Sequence, residues 1–166
     1  MSRLFAIAIT ALSLSGCALG WDCGTVRSTV ASGTVRDAAD ATLATVQVDL
    51  AEDVPKRLRL SVGVTGPGGS AGAPLKGHVT RGRLVTEAGE LLAEIPTGTS
   101  TLYLDVVVAL NIDLPSDAEY TRVRAALLSA RAKVILETDL PGRALIETTL
   151  LEARDVPGNV QRCRPV

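Results

Sequence analysis

The chain has 166 residues, with 17 Lys+Arg against 18 Asp+Glu, a formal net charge of −1 and only 2% aromatic residues. That balance offers no electrostatic draw toward nucleic acid or anionic lipid. So few aromatics leave little with which to stack bases or sugar rings.

Arg3 supplies a positive charge just ahead of an apolar run from Leu4 to Leu14. At roughly eleven residues the run is too short to span a bilayer as a helix. It ends in Leu14-Ser15-Gly16-Cys17. The segment resembles the lipobox of bacterial lipoproteins: an aliphatic residue, a small residue, Gly or Ala, then Cys. The resemblance implies cleavage between Gly16 and Cys17, a diacylglycerol on the Cys17 sulfur and further acylation by fatty chains such as palmitate. Each buried acyl methylene contributes about 0.8 kcal/mol, and several chains make an anchor stable. Ala18 follows the cysteine, not an Asp. That favours the outer membrane in a Gram-negative host. The expected localisation is therefore the cell envelope.

Removing residues 1–16 takes away Arg3, so 17 less 1 leaves 16 basic residues against 18 acidic, a net of −2. About 150 residues remain, the usual size of one domain. Phe5 and the initiator Met leave with the leader, so the core must come from Val, Leu, Ile and Ala. Cys23 and Cys163 lie near the two ends of the mature chain. Outside the inner membrane disulfides form, and termini of compact domains often meet. The economical expectation is a Cys23–Cys163 bond, worth roughly 4–5 kcal/mol in the chain-entropy model. Two free thiols or an intermolecular bridge remain the alternatives. No C-x-x-C spacing suggests a catalytic thiol pair.

In chain order, Thr25 to Val35 is rich in Thr and Val. Leu43 to Leu50 alternates, with Ala44, Val46, Val48 and Leu50 on the apolar face. Arg57 to Val64 repeats the pattern with Leu58, Leu60, Val62 and Val64 inward. Both read as half-buried strands, joined as a hairpin through Asp53 to Lys56. Thr65 to Pro74 is a Gly/Pro/Ser loop. Leu75 to Val85 and Leu91 to Ile95 read as strands around a turn at Ala88-Gly89. Thr101 to Leu114 is the most apolar stretch and reads as a central strand covered on both faces, stopped by Pro115.

Ser116 to Arg131 is the helix candidate. Ser116 and Glu119 have capping-box spacing. Tyr120, Val123, Ala126, Leu127 and Ala130 then recur at helical spacing, with Arg122, Arg124 and Arg131 off that stripe. Lys133 to Asp139 and Ala144 to Arg154 are strands around a Pro141-Gly142 turn. Together these predict an all-β fold: a β-sandwich of about seven to nine short strands, with one short helix near residues 117–130. The expected organisation is a signal peptide at 1–16, a lipidated tether at 17–24 and one sandwich domain over 25–166. No internal repeat divides it.

Chemistry is sparse. Gly68-Gly69-Ser70-Ala71-Gly72 spells G-x-S-x-G, but that motif needs a strand-to-helix turn, and here Pro67 and Pro74 flank the glycines. No G-K-[ST] follows for a phosphate cradle. His78 is the only histidine, and zinc or copper sites gather several His or Cys ligands. Local hydrogen bonding is its expected role. The carboxylates Glu87, Glu90, Glu94, Asp105, Glu137, Asp139, Glu147 and Glu152 read as solvated strand faces, with Glu137 and Asp139 on one face. A clustered calcium loop pattern is absent.

Two segments are similar to the CHRD (chordin-type) domain family. One is Leu75-Lys-Gly-His-Val-Thr-Arg-Gly82, followed by Glu87 to Ile95. The other is Leu128 to Gly142, continuing to Leu150. The resemblance implies a β-sandwich of extracytoplasmic habit and no defined enzymatic activity. Val79-Thr80 and Glu137-Thr138 stand where that family has further histidines, so no polar role carries over.

The expectation is a lipid-anchored extracytoplasmic module, non-enzymatic, that binds a partner or serves the envelope structurally. It needs no cofactor, no metal and no catalytic residues. Its contacts are the membrane, through the Cys17 lipid, and an envelope protein; no nucleic acid is expected. The enzyme alternative is a carboxylate-dependent envelope hydrolase, with two of Asp105, Glu137, Asp139 and Glu147 in a deep pocket.

Overall fold

The computed structural model describes residues 21–52, 56–66, 76–96 and 101–165. Ten strands and one helix follow in the order β1 (Trp21–Arg36), β2 (Thr42–Ala51), β3 (Arg57–Val64), β4 (Lys76–Thr86), β5 (Leu91–Ile95), β6 (Thr101–Tyr103), β7 (Val107–Asp113), α1 (Asp117–Leu128), β8 (Ala132–Thr138), β9 (Leu145–Thr149) and β10 (Leu151–Pro165). One sheet runs β10-β1-β2-β3-β7; the other runs β5-β4-β8-β9, with β6 also paired to β4. Every pairing between named strands is antiparallel. The fold is an all-β sandwich with one short helix.

The alternating strands behave as their pattern dictates. Ala44, Val46, Val48 and Leu50 face Val64, Val62, Leu60 and Leu58 across the β2–β3 register, and all eight are at most 1% exposed. Val79, Leu84, Val134, Leu136 and Ile146 answer them from the second sheet. Helix α1 packs against β1, β5 and β10 and adds Tyr120, Val123 and Leu127 to the same core.

The Ser116 cap forms. Its hydroxyl accepts the Glu119 N–H at 3.2 Å and donates to Glu119 Oε2 at 3.3 Å. Glu119 thus bonds the cap's side chain, whereas a capping box reaches its backbone N–H. The stripe ends sooner than its spacing suggested. Ala130 lies beyond the helix, exposed, with φ 52°. Its N–H bonds Leu127 O and the Arg131 N–H bonds Ala126 O, at 3.0 and 3.2 Å. These two bonds are a Schellman closure with alanine in the position usually held by glycine.

Two expectations need correction. The apolar stretch 101–114 is not one central strand. It breaks after Tyr103, and Asp105 takes φ 62°. The Asp105 N–H donates to Val64 O at 2.7 Å, and Oδ1 accepts the Gly66 N–H at 3.1 Å. The chain thereby leaves β4 and enters the other sheet as the outermost strand β7, where Val107 is 69% exposed. The stretch 144–154 also divides, at Leu150, where the chain passes from β9 to β10; Glu152 there has φ 55°. Both outer strands of the first sheet therefore arrive through a sheet switch marked by a left-handed acidic residue. Strand β1 starts at Trp21, within the expected tether 17–24, and β10 continues to Pro165.

Close approach explains one glycine. A Cβ on Gly33 would stand 2.6 Å from Thr148 Oγ1 and from Thr149 O, because β9 crosses β1 there. At the predicted Pro141-Gly142 turn, Gly142 has φ 73° and the Arg143 N–H bonds Leu140 O at 3.0 Å, as Pro-Gly turn chemistry requires.

Candidate functional site

The most structured concavity lies where α1 crosses β1 and β10. It has a volume of about 330 Å³, and Arg27, Glu52, Tyr120, Thr121, Arg124 and Asp155 contribute to its walls. Antiparallel register puts Thr29 opposite Asp155. The buried Thr29 hydroxyl donates to Asp155 Oδ1 at 2.6 Å, while Arg124 of α1 donates through Nη2 to Oδ2. The helix is thus pinned to the strand pair by a charge-assisted bond. The Thr29 hydrogen bond, then Arg124 and the more distant Arg27 charge, hold the Asp155 carboxyl below its ordinary pKa despite partial desolvation.

Tyr120 closes the other wall and is 9% exposed. Lys56 Nζ sits 4.5 Å from its ring centroid and 2.7 Å from Asp117 Oδ1. Burial first, then the Glu52 charge, push the Tyr120 hydroxyl above its ordinary pKa, against the pull of Arg124 and Lys56. Tyr120 is therefore a neutral hydrogen-bonding group, and Asp155 a fixed negative charge suited to holding a cation more than to shuttling a proton. Two guanidiniums, two carboxylates and one aromatic face suit a small polar ligand or a partner's side chains.

His78 has a partner the sequence did not reveal. Asp139 follows β8, next to β4, and its side chain accepts the His78 backbone N–H through Oδ1. Oδ2 lies 3.3 Å from His78 Nδ1, and the Asp139 N–H returns a bond to His78 O at 3.1 Å. The backbone bond, then the imidazole, lower the Asp139 pKa. Both side chains are about half exposed. Local hydrogen bonding is thus the role found for His78. Ser70 lies outside the described residues.

Of the four nominated carboxylates, Glu137 and Glu147 are diagonal neighbours on the outward face of β8 and β9, and only Glu147 lines one of the hollows described here. Asp105 serves the β6–β7 turn and Asp139 the His78 pair. Glu137 lies 3.8 Å from Arg83 Nη2, and Glu147 lies 4.0 Å from Lys133 Nζ. Glu147 and Glu152 share a broader, more open hollow of about 620 Å³ along Ser32–Arg36 of β1. Among the described residues no group of three or more His, Cys, Asp or Glu could hold a metal ion. Gly16 and Cys17 lie outside the described residues. Cys23 and Cys163 fall within β1 and β10 as directly opposed backbone positions.

The cleft residues escaped the sequence reading. Arg124 was legible only as a residue off the apolar stripe, and Asp155 only as an acid past the last expected strand. Nothing local signals the cluster, because Asp155 is 31 residues from Arg124 and 126 from Thr29. Searches of protein-family models, curated proteins and solved structures find no match to the chain.

Proposed function

We propose that the chain is an envelope lipoprotein, anchored through acylated Cys17, that presents its sandwich as a non-enzymatic binding or envelope-structural module. The observation that carries the anchor is Arg3, the apolar run and Leu14-Ser15-Gly16-Cys17 in the correct order and spacing. Trp21 opens β1 only four positions after Cys17, so the lipid and the folded domain are close neighbours along the chain. In favour of binding over catalysis are that neither of the two hollows described above is lined by two of the nominated carboxylates and that the Asp155 charge of the α1–β1–β10 cleft is held by Arg124.

Intact-mass spectrometry of membrane-extracted protein tests the anchor. The expected mass is that of a chain starting at Cys17 plus acyl groups, and Cys17→Ser abolishes both the added mass and membrane retention. An unmodified chain starting elsewhere refutes it. A photo-crosslinker at exposed Thr121, beside the cleft, tests binding in native envelopes. A discrete adduct lost in Arg27→Glu supports the cleft. Turnover abolished by one carboxylate substitution, with no adduct formed, defeats the binding role.

A further inference from the structure

From Ser28 to Ser32 β1 pairs with β2 on one side and β10 on the other. From Trp21 to Thr25 its only pairing among the described residues is with β10, in the register Trp21↔Pro165, Cys23↔Cys163 and Thr25↔Gln161. These five positions form a two-stranded ribbon that runs past the end of β2. Its joint with the sandwich is irregular. Between the pairs Thr25↔Gln161 and Arg27↔Pro157 one residue of β1, Val26, faces residues 158–160 of β10. Extra residues on one strand bend a ladder and raise its twist, and Pro157-Gly158 begins this insertion.

We propose that Cys23 and Cys163 form a cross-strand disulfide that staples this ribbon into a stiff stalk between the lipid and the sandwich. Directly opposed residues of an antiparallel pair have Cα atoms about 4.5–5.5 Å apart, inside the roughly 4.4–6.8 Å that a disulfide spans. An isolated two-stranded ribbon is marginally stable in water, so this segment needs a covalent tie. At about 3.4 Å per residue the five pairs extend about 17 Å. The oxidant is a disulfide, of a small molecule or a thiol–disulfide oxidoreductase of the envelope. One cysteine thiolate attacks it to give a mixed disulfide, and the second then displaces the oxidant's thiol. The two protein thiols lose two electrons and two protons, and the oxidant's disulfide becomes two thiols. The stalk's place beside the membrane rests on the anchor proposed above; the cross-link does not.

The test uses acylated protein extracted from membranes with free thiols blocked. Digestion with trypsin without reductant should give peptide 17–27 joined to peptide 163–166 within one chain. Reduction should release the latter and, in undigested protein, speed tryptic cleavage after Arg162 at least tenfold while the far-UV spectrum holds. Cys163→Ser should show the fast cleavage without reductant. Labelling of both thiols, or a link between two chains, overturns the staple. Unchanged cleavage after reduction overturns the stalk. The same peptide 17–27 reports the anchor independently through its acyl mass, so a linked but unacylated peptide defeats the lipoprotein assignment and leaves the staple standing.

Discussion

Between Ser28 and Ser32, β1 has paired strands on both sides, and Thr29 and Ala31 are each 1% exposed. Between Trp21 and Thr25 the same strand pairs, among the described residues, with β10 and not with β2. The first half is held by burial of apolar surface, worth roughly 25 cal/mol per Å². The second half depends on a single ladder and on whatever ties its open end. One continuous strand thus joins a body that opens only with global unfolding to a segment that can fray locally. The helix-lined cleft lies beside the first, at the joint between them, and the proposed lipid site would lie beside the second.

The body can be broken from its centre. Leu60 is 1% exposed between Leu110 and Val48 in the register. Leu60→Ala should lower the unfolding free energy by about 2–5 kcal/mol, the range for a buried leucine that leaves a cavity, read from the denaturant midpoint. Cleavage after Arg162 in the still-folded variant should keep its wild-type rate. Faster cleavage there would show that the ribbon shares the body's stability, and the contrast between the two halves would fail.

A smaller effect of opposite sign is expected at the end of α1. Ala130 holds a left-handed conformation at φ 52°, which costs an L-residue roughly 1–2 kcal/mol. Ala130→Gly relieves it, less the extra backbone entropy that glycine loses on folding. The net gain should be about 0.5–1 kcal/mol in denaturant unfolding, with no change at the ribbon. A loss of stability would mean that the Schellman closure is not what ends the helix.

How much of this was legible depended on the reach of each contact. The period-2 rows of β2 and β3, the Ser116 cap and the Pro141-Gly142 turn are local, and their residues declare them. The split at Asp105 was not legible. A left-handed bend usually announces itself with Gly or Asn, and here an aspartate makes it by accepting the Gly66 N–H. Nor was the second half of β10. Pro157 and Gly158 read as punctuation, and residues beyond them lack alternation because only one neighbouring strand orders them. Both acid–base contacts, Asp155 with Arg124 and Asp139 with His78, join residues far apart in the chain. His78 and Asp139 were each singled out in the sequence, Arg124 and Asp155 were not, and in both cases only the folded arrangement makes the pair.

The smallest expected effect concerns the joint itself. Asp155 sits two positions before the ribbon's irregularity on β10 and ties Thr29 to Arg124. Its pKa is lower in the folded protein than in the unfolded chain. The stabilisation it provides is therefore fully present above the unfolded pKa and is lost as pH falls through the folded pKa. In that window the unfolded chain binds more protons, so stability rises with pH. The side chain is 39% exposed, so solvent screens the effect and the slope is shallow. Asp155→Asn keeps an oxygen for Thr29 but removes the charge and the titration. Its unfolding free energy should vary less between about pH 5 and pH 3 than that of the wild type. Asp139 titrates in the same direction through its His78 contacts, away from the joint. Asp139→Asn should flatten the same slope without altering cleavage after Arg162, whereas Asp155→Asn should speed it. Equal cleavage in the two variants would show that the cleft and the stalk are mechanically independent.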